Sequence, residues 1–363
     1  MREGEPREGE PREGEPPVSA TRRGETRHGE TPKALTPSRY LAWLYSTDAQ
    51  KPVLAALLEI ESEIASGLRP GIEHHVAHAR LQWWSEEAER AAERRPVHPL
   101  TRALVKARAN ASGNASHGGS HSSSDAGSHP GSHADGAASA ATHRTVDLMG
   151  FVDTAVWDLA SATFETRKEL TAYCERWAAA MFETAAGPAV SNGTRTMADP
   201  ASNSAYAAGR GLASDAASTA VGTTPSPWKA LGAAVREVEL LADAARDAHV
   251  GRVRIPLDEL DRAGVDAKAL TKLPWPAPLS ALLKERHEAL RTSLAINVAA
   301  LAREEQMALR GLLVWVALTW RLSARTQRAL PNVILPHRYD ALAGGWQAWR
   351  AARRAATGRL RFG

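Results

Sequence analysis

Apolar residues recur at helical spacing through most of the chain, and no segment alternates as a strand would. Val53, Leu57, Ile60 and Ile64 keep one face of a helix that Gly67 and Pro70 end. A further helix is expected from about Ile72 to Glu93, carrying Val76, Leu81, Trp83 and Trp84. Val152, Val156 and Leu159 mark another face. Thr166-Arg-Lys-Glu169 has the form of a capping box that restarts a helix before Leu170, Tyr173, Trp177 and Met181. Leu231, Val235, Val238 and Leu241 predict a helix that Gly251 and Pro256 close; Leu279, Leu283, Leu290 and Leu294 predict one more. Thr36-Pro37 supplies an N-cap and a proline at the first helical position. The pattern predicts an all-α fold.

Three stretches break this pattern. Residues 1–35 begin with REGEP three times and continue with RRGET and RHGET, a composition too polar and too rich in proline and glycine to bury a core. Residues 110–145 are rich in Ser, Gly, Ala and His, and residues 187–226 in Ala, Ser, Thr and Gly. These read as a disordered tail and two low-complexity insertions in one helical domain spanning 36–322, followed by a basic C-terminal tail, 323–363.

Composition narrows the function classes. Of 363 residues, 43% are hydrophobic, enough for a real core, and the single cysteine, Cys174, excludes an intramolecular disulfide framework. No apolar run reaches the roughly 18 residues of a spanning helix. Gly311–Leu322 reads as a buried helix, and the N-terminus lacks the apolar core of a signal peptide. A cytoplasmic protein is expected. Net charge is only +4, yet Arg321–Gly363 holds many arginines and one acid, Asp340. That excess reads first as a solvated helix face; the alternative is an anionic partner, as in peripheral contact with an anionic membrane through the basic tail, and no nucleic acid is expected as partner. The pairs Trp83-Trp84 and Trp346/Trp349 are most simply read as helical core packing.

Candidate chemistry is sparse. Asp243 and Asp247 lie four apart, so both carboxylates project from one side of a helix and suit Mg²⁺, with Arg252 and Arg254 following for diphosphate oxygens. The plainer reading is an acidic face paired with Arg246. His74 and His78 share the spacing without a completing ligand, and the histidines of the first insertion read as linker. Cys174 reads as a small core hydrophobe rather than a nucleophile. No catalytic residue is assigned.

Several of these stretches together resemble the squalene/phytoene synthases, which join two prenyl diphosphates head to head. Ser38-Arg39-Tyr40 is similar to the Ser-Phe-Tyr opening that family's first helix. Arg80-Leu-Gln-Trp-Trp84 with His98-Pro-Leu, and Asp158 with Glu169-Leu170 and Tyr173-Cys174, follow the family order. Asp243-Ala-Ala-Arg-Asp247 through Gly251-Arg-Val-Arg-Ile-Pro256 resembles its second aspartate-rich motif. The resemblance implies an isoprenoid-synthase-like bundle with a central cavity, Mg²⁺ held by Asp243 and Asp247, and a prenyl diphosphate or other isoprenoid lipid contacted by Arg252, Arg254, Tyr40 and Glu63. It also shows damage. Where the first aspartate motif should lie, Ala65, Ser66 and Arg69 replace acids and only Glu63 remains; on the second motif helix Arg236, Glu239 and Arg246 replace Gln, Asn and Glu. The resemblance therefore implies a non-condensing homologue that binds isoprenoid or acts in assembly, as in a respiratory complex I assembly-factor branch of the family. The alternative is an active Mg²⁺-dependent transferase. In either case Asp243 and Asp247 are expected to face the turn that carries Glu63.

Overall fold

The structure, a computed structural model, describes residues 36–69, 71–117, 146–187, 226–332 and 341–362. The N-terminal repeats and most of both insertions lie outside the described residues. Among those described there are helices and no strand. In chain order these are α1 (Pro37–Tyr45), α2 (Lys51–Ser66), α3 (His74–Ala92), α4 (Pro99–His117), α5 (Met149–Leu159) and α6 (Arg167–Ala178). A π-helical turn, Ala179–Glu183, leads to α7 (Thr184–Ala186). Then follow α8 (Pro227–His249), α9 (Leu257–Arg262), a 3₁₀ turn (Ala267–Thr271), α10 (Ala277–Ala300), α11 (Arg303–Ala308), α12 (Arg310–Ala329) and α13 (Ala341–Ala356).

Local signals set most of these boundaries. The Oγ1 of Thr166 accepts from the Glu169 N–H at 3.4 Å, capping α6, while Glu169 reaches back to the Glu165 N–H at 2.8 Å. Pro37 and Pro227 sit in the first turns of α1 and α8, where no amide is needed. α8 ends in a Schellman turn: Gly251, at φ +81°, lets the Arg252 N–H reach the Asp247 carbonyl at 2.8 Å. That turn fixes the segment carrying Arg252 and Arg254 beneath the end of α8. α4 runs on to His117, so the first insertion starts with helix rather than linker.

α8 is the central helix. Its apolar face, Leu231, Val235, Val238 and Leu241, is buried against α6, α10 and α12. α1 lies across α12 so closely that a Cβ on Gly311 would stand 2.0 Å from Ser46 Oγ and 2.5 Å from the Ala42 carbonyl. α2 packs on α4, and α3 and α6 on α5. Trp177, Phe182 and Trp315 are fully buried where α6, the π turn and α12 meet, Trp177 and Trp315 edge to face at 5.8 Å.

Polar knots join the helices elsewhere. Glu87 of α3, wholly buried, accepts the Val97 and His98 amides at 2.9 and 2.8 Å and so pins the start of α4. Burial works against its charge, but bonds from Thr101, His98, Arg90 and Val97 outweigh it and hold its pKa below the usual carboxylate value. Glu237 of α8 takes Arg167 of α6 and Arg286 of α10, each at 2.5 Å.

The described parts of the basic C-terminal segment are built into the bundle. Residues 323–329 complete α12, and α13 packs on α12, α1 and α11 through Ala348, Ala351, Ala352 and Ala355. Trp346 and Trp349 depart from the core reading: both are exposed, because the alanines occupy the packed face, and Trp83 of α3 is exposed as well, beside a buried Trp84. Among the described residues no helix is long and apolar enough to cross a membrane.

Candidate functional site

At the centre of the bundle, where the resemblance places a cavity, charged side chains from five elements meet in one continuous chain. It begins with Glu61 of α2. The guanidinium of Arg39, from α1, binds both Glu61 oxygens, at 2.5 and 3.2 Å, and lies 3.6 Å from Glu239 of α8. Glu239 also faces Arg236, one turn earlier, at 3.8 Å. Arg236 donates to the Tyr173 hydroxyl of α6 at 3.0 Å, and that hydroxyl donates to Asp158 at the end of α5, 3.2 Å away. Arg254 then bridges Asp158 at 2.8 Å and Asp247 at 3.1 Å.

Aromatic rings wall this chain and use their polar edges on it. Trp177 Nε1–H donates to Glu61 at 2.8 Å and Trp315 Nε1–H to Glu239 at 3.1 Å. The Arg39 guanidinium sits 5.1 Å from the Trp315 ring centre, and Arg236 sits 5.3 Å from Trp177. Burial by itself disfavours the charge on Arg236, but Tyr173, Glu61, Glu239 and Asp158 outweigh it, and its pKa is raised. Burial, with Asp158 adding to it against Arg236, pushes the Tyr173 phenol up to about 12 and keeps it a neutral donor. The neighbouring Cys174 is buried, and burial chiefly pushes its thiol pKa up, which disfavours the thiolate.

The residues singled out from the sequence are distributed unevenly around this centre. Asp247 belongs to the chain through Arg254. Asp243, one turn away, pairs instead with Arg246 at 2.6 Å. Arg254 is buried and taken up by Asp158 and Asp247, which withdraws it from diphosphate contact in this arrangement. Arg252 is half-buried at the Schellman turn. Tyr40 is exposed on α1; its neighbour Arg39 is the side chain that turns inward. Glu63 is exposed as well, since Ile60 and Ile64 take the packed face of α2, and it borders a separate recess of about 340 Å³ with Ser66, Arg80, Trp83 and His98. Glu61, two residues earlier, is the α2 acid that reaches the centre, so the expected opposition of Asp243 and Asp247 to the Glu63 turn is replaced by a chain running from Glu61 to Asp247.

Magnesium requires several oxygens in near-octahedral array. Here Asp243 and Asp247 each already accept a guanidinium, and among the described residues no three His, Cys, Asp or Glu side chains are grouped to hold a metal ion. As arranged, the pair is an arginine-bound donor set rather than an open Mg²⁺ site.

Sequence reasoning missed Arg39, Glu61 and Trp315 as parts of this centre. The available signal was the charge placement: Glu61 lies one residue from Ile60 and Arg39 three before Ala42, both on faces otherwise buried. Arg236 and Glu239 were visible as replacements, and Asp158 and Tyr173 as parts of the resembling pattern.

The squalene/phytoene synthase family model matches residues 33–342. Among solved structures, a dehydrosqualene synthase crystallised in complex with ligand superposes with a TM-score of 0.56 at 14% identity, covering 88% of this chain and 90% of that one. That likeness is one of fold. A comparison with curated proteins gives no match.

Proposed function

This chain belongs to the squalene/phytoene synthase family, and we propose that it is a non-condensing member, which holds a prenyl diphosphate or another isoprenoid lipid without joining two of them. The observation that carries this reading is the position of Arg39 and Arg236. Both are directed at the carboxylates of the bundle centre, Glu61 and Glu239, while Arg246 and Arg254 take up Asp243 and Asp247, whose oxygens metal clamping would need.

Loss of diphosphate from a prenyl chain is accelerated only by charge stabilisation that grows toward the transition state. Metal ions supply it by neutralising the leaving group. In this chain the acids are already neutralised by arginines, so a divalent ion would have to displace a guanidinium to reach them. Ground-state binding has lower demands. Arg252, half-buried beside the end of α8, supplies a cation for diphosphate oxygens.

The test is incubation of the purified protein with farnesyl or geranylgeranyl diphosphate and Mg²⁺, measuring both pyrophosphate release and ligand binding by calorimetry. Saturable binding with no head-to-head product is expected. Robust Mg²⁺-dependent formation of such a product overturns the reading in favour of an active transferase.

A further inference from the structure

We propose that the outward face of α13 docks the protein on an anionic lipid surface. α13 buries its alanine face against α12, α1 and α11, and the opposite face carries Leu342, Trp346, Trp349 and Arg353. At 3.6 residues per turn these four fall within a sector of about 60°. Their exposure is far above that of the core: 87% for Leu342, 56% for Trp346 and 37% for Trp349. The two indole rings stack on each other at 4.7 Å, and the Arg353 guanidinium lies 5.0 Å from the Trp349 ring. Arg350 and Arg354 flank the same line, and α13 contains no acid to offset them.

A helix face that served only solvation would be polar, and one that served core packing would be covered. This face is apolar over Leu342, Trp346 and Trp349 and cationic at its C-terminal end, where Arg353 follows on the same line, and along one side, at Arg350 and Arg354. That is the composition of helices lying in the headgroup region, where tryptophan sits at the boundary and arginine meets anionic headgroups. Charge complementarity therefore favours an anionic bilayer over a neutral one. The aliphatic Leu342 at the most exposed position favours a bilayer over a nucleic acid, whose phosphates offer it no apolar partner. None of these residues belongs to the central ion chain, so docking stands or fails apart from the proposed function.

The experiment is flotation of the full-length protein with phosphatidylcholine vesicles, with and without a quarter of phosphatidylserine, at low and high salt. Binding to the phosphatidylserine vesicles, weakened by salt and accompanied by a blue shift of tryptophan emission, is expected. Trp346→Ala/Trp349→Ala should lower partitioning about tenfold. Replacing Arg350, Arg353 and Arg354 by Gln should lower it by about a hundredfold, since each cation near the surface is worth about fivefold. Leu342→Glu, at a side chain in open solvent, is a second apolar variant that leaves the packed face untouched; all variants should melt with the wild type. Absence of binding to anionic vesicles at low salt overturns the proposal, as does undiminished flotation of the tryptophan and Leu342 variants. Duplex DNA that displaces the vesicles and is lost with the same substitutions would assign the face to nucleic acid instead.

Discussion

Arg39 and Glu61, from the first two helices of the bundle, meet in a two-point ion pair at its centre, with 17% and 14% of their side chains exposed. A pair this enclosed contributes modestly as a unit, because desolvation offsets most of the attraction, yet removing one partner strands the other charge. Arg39→Ala should therefore cost about 3–5 kcal/mol, and Arg39→Met with Glu61→Leu should recover most of the loss. Chemical denaturation of the three proteins checks this. The single variant also leaves Glu61 and Glu239 facing without their shared cation, so added Mg²⁺ should raise its melting temperature more than that of the wild type. Equal stability of Arg39→Ala and wild type would show that the pair is not held as described.

His287 of α10 makes stability depend on pH. It is 1% exposed, its Nδ1 lies 3.0 Å from Ser323 Oγ, and its Nε2 is buried without a partner. The Ser323 hydroxyl also lies 3.2 Å from the His287 carbonyl; a hydroxyl directed there goes with the tautomer that carries its proton on Nδ1. Burial first, then Arg291 and Arg286, lower its pKa from 6.5 to about 4, against an opposing pull from Glu237. Between those pH values the unfolded chain takes up a proton that the native imidazole refuses. Stability should then fall as pH drops from 6.5 to 4, by about 3 kcal/mol in all. Urea titrations of wild type and His287→Leu across this range should show the slope in the wild type and its reduction in the variant. An identical slope in both would rule out a neutral buried His287.

Two glycines in helices should respond to alanine in opposite directions. In an open helix the change stabilises by about 1 kcal/mol, and a Cβ at Gly345 meets nothing within 4 Å. At Gly311 the same Cβ would stand 2.5 Å from the Ala42 backbone carbonyl, which cannot rotate away as a side chain can. Gly345→Ala should raise the melting temperature, and Gly311→Ala should lower stability by about 1–3 kcal/mol as α1 is pushed off α12. A neutral Gly311→Ala would mean that the two helices pack less closely than this.

The helices were legible in the sequence because their information is local. The spacing of Leu231, Val235, Val238 and Leu241 needs only the 3.6-residue period, and Thr166, Pro227 and Gly251 act within a turn of themselves. The family was legible for a related reason, since its motifs are short segments in a fixed order. Which side chains form the centre was decided only by tertiary structure. Glu61 and Glu63 are the same residue type two positions apart, but that step is about 200° around α2, and packing of Ile60 and Ile64 determines which one turns inward. Arg254 looked like a free cation until folding placed it between Asp158 and Asp247, distant from each other in sequence. Trp346 and Trp349 looked like core until the alanines of α13 took the packed face. Periodicity settles that a face exists; what it meets depends on elements far away in the chain, and on that meeting the charge state and availability of every side chain at the centre depend.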